Sequence, residues 1–275
     1  MSEVLVVIGS GAIGQAIARR VGTGKKIVLA DISRQTAGTV AETLLGAGFD
    51  AIPASVDVSS RASVEALAKT ATRLGPVKGL IHSAGVSPSN ASPSLIFKVD
   101  LFGTALVLEV FGQLIEPGGA GLVVSSQAGY RLDAWPNEIN KVFANTPADD
   151  LLNLPQLQPD KVADSLVAYQ IAKRGASVRT QAESVKWARR RARLNAISPG
   201  IVSSPLSEKE LTGPNRENYQ LMIESCAARR GGTADEIASL GALLMGPEGQ
   251  FISGSDFLID GGVTAAYWWG DVIGN

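Results

Sequence analysis

The 275-residue chain has one cysteine, Cys226, and one histidine, His82. A lone cysteine excludes an internal disulfide, so a reducing compartment, the cytoplasm, is the expected setting. No metal site is expected. Charge of either sign is not in excess: 25 basic residues face 26 acidic ones, for a net charge of -1. No surplus of positive charge exists to displace counterions from a polyanion, and a nucleic-acid partner is excluded on that ground. Long apolar runs are also missing. The first, Val4–Ile8, has no basic leader and is too short for a signal segment. None approaches the roughly 20 residues of a membrane helix. Repeats, low-complexity tracts and linkers are absent, so residues 1–275 read as a single domain.

What is present is alternation. Buried-type runs at 4–8, 26–31, 51–58, 77–85, 120–129, 192–200 and 256–262 read as strands. Helical periodicity lies between them, including 34–47, 60–73, 96–115, 166–188 and 235–245. Strand and helix in strict turn predict an α/β fold: one doubly wound, parallel, seven-stranded sheet with helices on both faces. Two segments break the rhythm. Residues 130–165 insert four prolines and several apolar patches between a strand and a helix, and 263–275 extend the chain past the last strand with Tyr267, Trp268 and Trp269 together.

The stretch "GSGAIG" places Gly9, Gly11 and Gly14 between the first strand and the first helix. Such spacing gives a tight turn, close approach of backbone to a pyrophosphate, and close helix packing, with helix N–H groups aimed at the phosphates. Asp31 ends the second strand. A carboxylate there accepts from both hydroxyls of an adenosine ribose and repels a 2′-phosphate, which predicts NAD over NADP; Arg34 offsets this in part. The plain structural role for Asp31 is a helix N-cap, which Ser33 can supply instead.

"YQIAK" puts Tyr169 and Lys173 about one turn apart on one helix face. A phenol is a poor base near neutrality, and a neighbouring ammonium favours its ionised form. Such a phenol can take a proton from an alcohol as hydride leaves, or return one to a carbonyl. Ser126, in "SSQAG" at a predicted strand end, supplies a hydroxyl for the substrate oxygen. Carboxyl ends of strands are where ligands bind in such sheets. Isolated, the Tyr–Lys pair would read as a half-buried ring and a solvated lysine.

These motifs, in this order, resemble the short-chain dehydrogenase/reductase family over essentially the whole chain. The resemblance implies that Tyr169 is the acid/base, that Ser126 positions substrate, and that Lys173 binds the nicotinamide ribose and assists the phenol. It further implies cofactor contacts at Gly9, Gly11, Ile13 and Gly14, at Asp57 and Val58 beside the adenine, and at Ala84 and Gly85. Pro199, Gly200, Ile201 and Ser204, in "NAISPGIVSSPL", resemble the segment that holds the nicotinamide carboxamide. The expected partner is a small-molecule alcohol or ketone. The expected assembly is a homodimer or homotetramer.

Departures are equally visible. The glycine turn is shorter than the family's usual one and has Ile8 at its threonine position. Asp100 stands where the family usually carries an asparagine that holds a relay water; it is expected to pair with Lys173 or to alter the relay. His82 stands at an asparagine position that ties strands together, so a structural role is expected. Arg189, Arg190, Arg191 and Arg193 read as a solvated helix C-terminus. The insertion at 130–165 resembles that of bacterial 3α-hydroxysteroid dehydrogenase/carbonyl reductase. It is expected to form a helical lid or wall over an apolar substrate, or to serve assembly alone. The aromatic tail is expected to bury its rings against that lid or another subunit. A hydroxysteroid or other apolar alcohol, an aromatic diol and a sugar alcohol remain open as substrates. A catalytically silent nucleotide sensor and an epimerase of nucleotide sugars are the readings from other classes.

Overall fold

A computed structural model describes residues 2–203 and 216–270. Seven strands form one sheet: β1 (Val4–Ile8), β2 (Lys26–Asp31), β3 (Asp50–Ser55), β4 (Val77–His82), β5 (Ala120–Val124), β6 (Arg193–Pro199) and β7 (Asp256–Ile259). Their order is β3-β2-β1-β4-β5-β6-β7, and every pairing is parallel. The order reverses between β1 and β4, so a crevice opens above the carboxyl ends of those two strands. Strand β1 is at most 1% exposed throughout, because a central strand covered on both faces needs apolar residues at successive positions rather than alternate ones.

The helices are α1 (Ala12–Val21), α2 (Arg34–Gly46), α3 (Arg61–Leu74), α4 (Pro93–Ile96), α5 (Gly103–Gly112), α6 (Asn137–Asn145), α7 (Ala148–Leu151), α8 (Ser165–Ala188), α9 (Arg216–Ser225), α10 (Ala234–Met245) and α11 (Val263–Trp269). Ile17, Leu44 and Ile237 bring α1, α2 and α10 onto one face of the sheet. Leu67, Phe111 and Trp187 bring α3, α5 and α8 onto the other. Trp187 is fully buried and donates its indole N–H to the Leu108 carbonyl. It fits because Gly112 and Gly121 have no side chains: a Cβ on either would come within 2.7 Å of the indole.

Side-chain caps fix several helix starts: the Ser33 hydroxyl accepts from Thr36 N, Ser60 caps α3, and Asp164 accepts from Val167 N. Thr233 and Glu236 form a reciprocal capping box on α10.

Two expectations require correction. Strands predicted to reach Val58, Gly129 and Gly262 end at Ser55, Val124 and Ile259, since the chain leaves the sheet to build the loops of the cleft. A single helix over 96–115 is instead α4, a π-helical turn at Phe97–Phe102, and α5. The wide turn contains Asp100, whose carbonyl takes the Thr104 hydroxyl as donor at 2.7 Å. The insertion packs into the core. Phe143, Leu151, Leu157 and Val162 belong to the same buried cluster as α5 and α8.

Candidate active site

The first glycine of the turn adopts φ +96°, a conformation that side chains rarely tolerate. A Cβ on Gly9 would lie 2.5 Å from the Ala84 nitrogen. On Gly14 it would lie 2.5 Å from the Gly9 carbonyl oxygen, so that glycine is what lets α1 close on the turn. Gly11 differs, because a Cβ there would meet nothing within 4 Å. Gly11 is also the N-cap of α1, with no side-chain hydrogen bond at that end and no acid in the first turn. The open backbone and the uncapped N–H groups fit a pyrophosphate. Ile13, inside α1, is partly buried against the core on that side of the sheet.

Asp31 is not the N-cap of α2; Ser33 fills that position. The Asp31 carboxylate accepts from Ser10 N at 2.9 Å and Ser10 Oγ at 2.6 Å, and from Ser33 N at 3.1 Å. It thereby fixes the glycine turn to the end of β2 while staying partly exposed at the crevice. Asp57 lies in the loop after β3, its carboxylate accepting from the backbone and hydroxyl of Ser59. Val58 is buried against Gly103. Ser83 ties β4 to the glycine turn by donating its hydroxyl to the Gly9 carbonyl, and Ala84 and Gly85 follow at the same rim. Pro199 ends β6, Gly200 N donates to the Ile259 carbonyl, and Ile201 accepts from Gly232 N. Ser204 lies outside the described residues.

The Tyr–Lys helix meets the end of β5 through a chain of contacts. Ser125 Oγ donates to the Lys173 carbonyl at 3.0 Å, and Ser177 Oγ donates to Ser125 Oγ. Gly129 abuts the backbone of Lys173 and Arg174 so closely that a Cβ would come within 2.8 Å. Ser125 is therefore the fastener, a role that sequence reasoning missed. Its neighbour Ser126 faces the other way: its Oγ accepts from Ala128 N at 3.1 Å, leaving the hydroxyl proton to donate elsewhere.

Lys173 Nζ lies 5.3 Å from the centre of the Tyr169 ring and 2.9 Å from Asp100 Oδ1. The Asp100 side chain is 0% exposed and that of Lys173 is 7% exposed. Asp100 Oδ2 accepts from Val86 N at 3.2 Å. Burial by itself would lower the Lys173 pKa, but the charges of Asp100 and Tyr169 outweigh it and hold the ammonium above its ordinary value. Burial raises the Asp100 carboxyl, and Lys173 pulls it only part of the way back. Gly85 is needed beside the pair, where a Cβ would stand 2.5 Å from Asp100 Oδ1.

His82 is structural, as expected, although it ties its strand to a helix rather than to another strand. The Thr104 hydroxyl already donates to Asp100, so it accepts from His82 Nε2–H at 3.1 Å. Burial, assisted by the charge of Lys173, pushes the His82 pKa down to about 3.

The insertion packs on α8, and the tail packs on the start of the insertion. Phe143 of α6 packs on Gly175, and the Arg179 guanidinium donates to the carbonyls of Ala144 and Thr146 at 2.6 and 2.5 Å. Gly175 and Arg179 lie roughly 140° and 100° around α8 from the Tyr169–Lys173 line. Helix α6 is thus a wall packed on α8, on a face turned away from the Tyr169–Lys173 line. The tail packs against Tyr130 and Arg131, the first residues of the insertion. Trp268 donates its indole N–H to the Tyr130 carbonyl at 2.9 Å, Tyr267 stacks beside Arg131, and Trp269 stays 89% exposed.

This geometry matches known proteins. A family model described as short chain dehydrogenase fits residues 2–137, and one described as Enoyl-(Acyl carrier protein) reductase fits residues 139–264. A short-chain dehydrogenase/reductase of Alternaria brassicicola is 38% identical, covering 96% of each chain. The chain belongs to the short-chain dehydrogenase/reductase family. A levodione reductase of Leifsonia aquatica is 26% identical over 96% of this chain and 94% of its own. Among solved structures, a blue fluorescent protein from a metagenomic library, in complex with NADPH, superposes with a TM-score of 0.73 at 20% identity, over 95% of this chain and 97% of its own. As a short-chain dehydrogenase/reductase, the chain is an oxidoreductase of alcohols and ketones that uses a nicotinamide cofactor. No helix among the described residues is long and apolar enough to cross a membrane.

Proposed function

We propose that the chain is an NAD-dependent dehydrogenase of apolar secondary alcohols, a hydroxysteroid-like substrate included, with Tyr169 as acid and base. The observation that carries this reading is the Tyr169 ring beside a buried ammonium whose charge Asp100 maintains. When bound, the dinucleotide supplies the hydride acceptor or donor. Gly9, Gly11, Ile13 and Gly14 hold its pyrophosphate at the start of α1. Asp31 takes the adenosine ribose, Asp57 and Val58 the adenine. Ala84 and Gly85 line the middle of the crevice, and Pro199, Gly200, Ile201 and Ser204 the nicotinamide end.

Tyr169 accepts the alcohol proton as hydride leaves carbon and returns it in the reverse direction. Ser126, with its hydroxyl proton uncommitted, donates to the substrate oxygen and fixes the carbon for transfer. Lys173 holds the nicotinamide ribose and stabilises negative charge on the Tyr169 oxygen. Asp100 keeps Lys173 cationic and in place. The apolar substrate is supported by Met222, Tyr267 and Trp268, which gather beside the loop that follows Ser126.

The choice of NAD rests on the partly exposed Asp31 carboxylate at the end of β2, which would face a 2′-phosphate. The NADPH-bound structural relative shares the fold at an identity too low to bear on that choice. We propose a homodimer or homotetramer, because fully exposed Phe251 and exposed Leu258 on the open edge at β7 leave apolar surface to cover. The functional test is a panel of hydroxysteroids, cyclic alcohols and sugar alcohols, followed by absorbance of the reduced cofactor, with NAD and NADP in parallel. Turnover with a secondary alcohol and a lower Michaelis constant for NADH than for NADPH is expected. A Michaelis constant for NADPH equal to or below that for NADH overturns the NAD assignment. Cofactor binding without turnover of any alcohol or carbonyl overturns the enzyme.

A further inference from the structure

Arg131 lies five residues past Ser126, on the loop that Gly129 clamps to α8 at Lys173. Helix α9 follows β6 and α11 follows β7, so both stand at the carboxyl edge of the sheet, where the loop of Arg131 also stands. The guanidinium is held between them. Its Nη2 donates to Met222 Sδ of α9 at 3.0 Å, and its Cζ lies 5.6 Å from the Tyr267 ring of α11.

Those are weak partners for a cation withdrawn from water. A thioether is a poor acceptor, and the Nε of Arg131 is buried with no acceptor at all. Among the described residues no carboxylate comes within ion-pairing distance of it. Tyr219 of α9, then Tyr267, then Asp260 lie close enough to act on its charge. The Asp260 oxygens, however, accept from Gly262 N at 2.9 Å and Thr264 N at 2.7 Å, which starts α11. Other withdrawn arginines in this chain are served differently. Arg179 donates to two backbone carbonyls, and Arg193 to those of Leu244, Met245, Gly246 and Gly249. A partly buried guanidinium whose Nε is buried without an acceptor is costly unless something else supplies one.

We propose that Arg131 is the anion subsite of the substrate cleft, receiving a carboxylate, or an equally charged oxyanion, at the far end of an otherwise apolar alcohol. The fork of a guanidinium matches two carboxylate oxygens, and Met222 and Tyr267 flank it with apolar surface for the carbon skeleton. This subsite deepens the alcohol-dehydrogenase reading and rests on it for its place in catalysis, but binding alone can test it.

The test uses the enzyme–NADH complex and the probes decanoate and methyl decanoate, with affinities measured by calorimetry. Decanoate is expected to bind at least tenfold more tightly than the ester. In Arg131→Met that preference falls to within twofold, in Arg131→Lys part of it returns, and NADH affinity is unchanged in both. Equal affinity of the two probes for the parent overturns the proposal, as does a preference that survives in Arg131→Met. A decanoate preference in a protein that oxidises no alcohol in the panel retains the anion site and discards the redox reading. Alcohol turnover with no decanoate preference does the reverse.

Discussion

His82→Gln tests the electrostatics around the candidate site through the only imidazole in the chain. In the folded protein burial, then the charge of Lys173, pushes the His82 pKa down to about 3 from an ordinary 6.5. The sign follows from proton uptake. Between pH 6.5 and 3 the unfolded chain binds a proton that the folded chain refuses, so stability falls as pH falls through that window. Each pH unit within it costs about 1.4 kcal/mol, and from pH 7 to pH 5 the loss is about 2 kcal/mol. Glutamine keeps an N–H donor for Thr104 Oγ1 and has no proton to gain. Between pH 7 and pH 5 the parent is therefore expected to lose about 2 kcal/mol more than His82→Gln, roughly 4 °C in Tm for a chain of this size. Denaturant unfolding at both pH values measures the difference. The lone imidazole also gives one set of ring resonances, expected to stay neutral at pH 5 in the folded protein. A ring that titrates near pH 6.5 while the protein is folded, or identical acid sensitivity in parent and variant, refutes the reasoning.

Asp100→Asn removes the larger of the two charges that raise the Lys173 pKa, leaving burial opposed only by Tyr169. The variant is expected to stay active, with the alkaline limb of its kcat/KM profile moved to lower pH; an unchanged profile removes any role for the carboxylate. Phe143→Ala is expected to cost about 3–5 kcal/mol, because the ring is 1% exposed and packs on Trp135 with centroids 4.6 Å apart. Its kcat per folded site is expected to match the parent, as measured with unfolding curves and active-site titration, since α6 is a wall of the core. Gly9→Ala is expected to abolish measurable NADH binding while the sheet remains, because the added Cβ meets Ala84 at 2.5 Å and the φ of +96° disfavours it.

The sheet was legible because its signal is local. Strands such as Val4–Ile8 are apolar at every position, as central parallel strands must be, and glycines mark the turn into α1. The Tyr169–Lys173 pair was legible because helical spacing alone puts them on one line. The π turn around Asp100 was not, since one widened turn leaves the apolar periodicity nearly intact, and what holds it is contact with Val86 and Thr104. Likewise, nothing in "YRLDAW" announces that Arg131 will meet Met222 and Tyr267, 91 and 136 residues away. The placement of α6 depends on Gly175 and Arg179, whose partners emerge only when α8 is packed. Apolar residues in the insertion signalled burial correctly but could not say against which surface.

The most direct test of the account is single-turnover oxidation of an alcohol from the panel by Tyr169→Phe, with NADH affinity measured on the same sample. The account predicts unchanged NADH affinity and a rate on the order of a hundredfold to ten-thousandfold below the parent. Oxidation at the parent rate by a protein without that hydroxyl contradicts it.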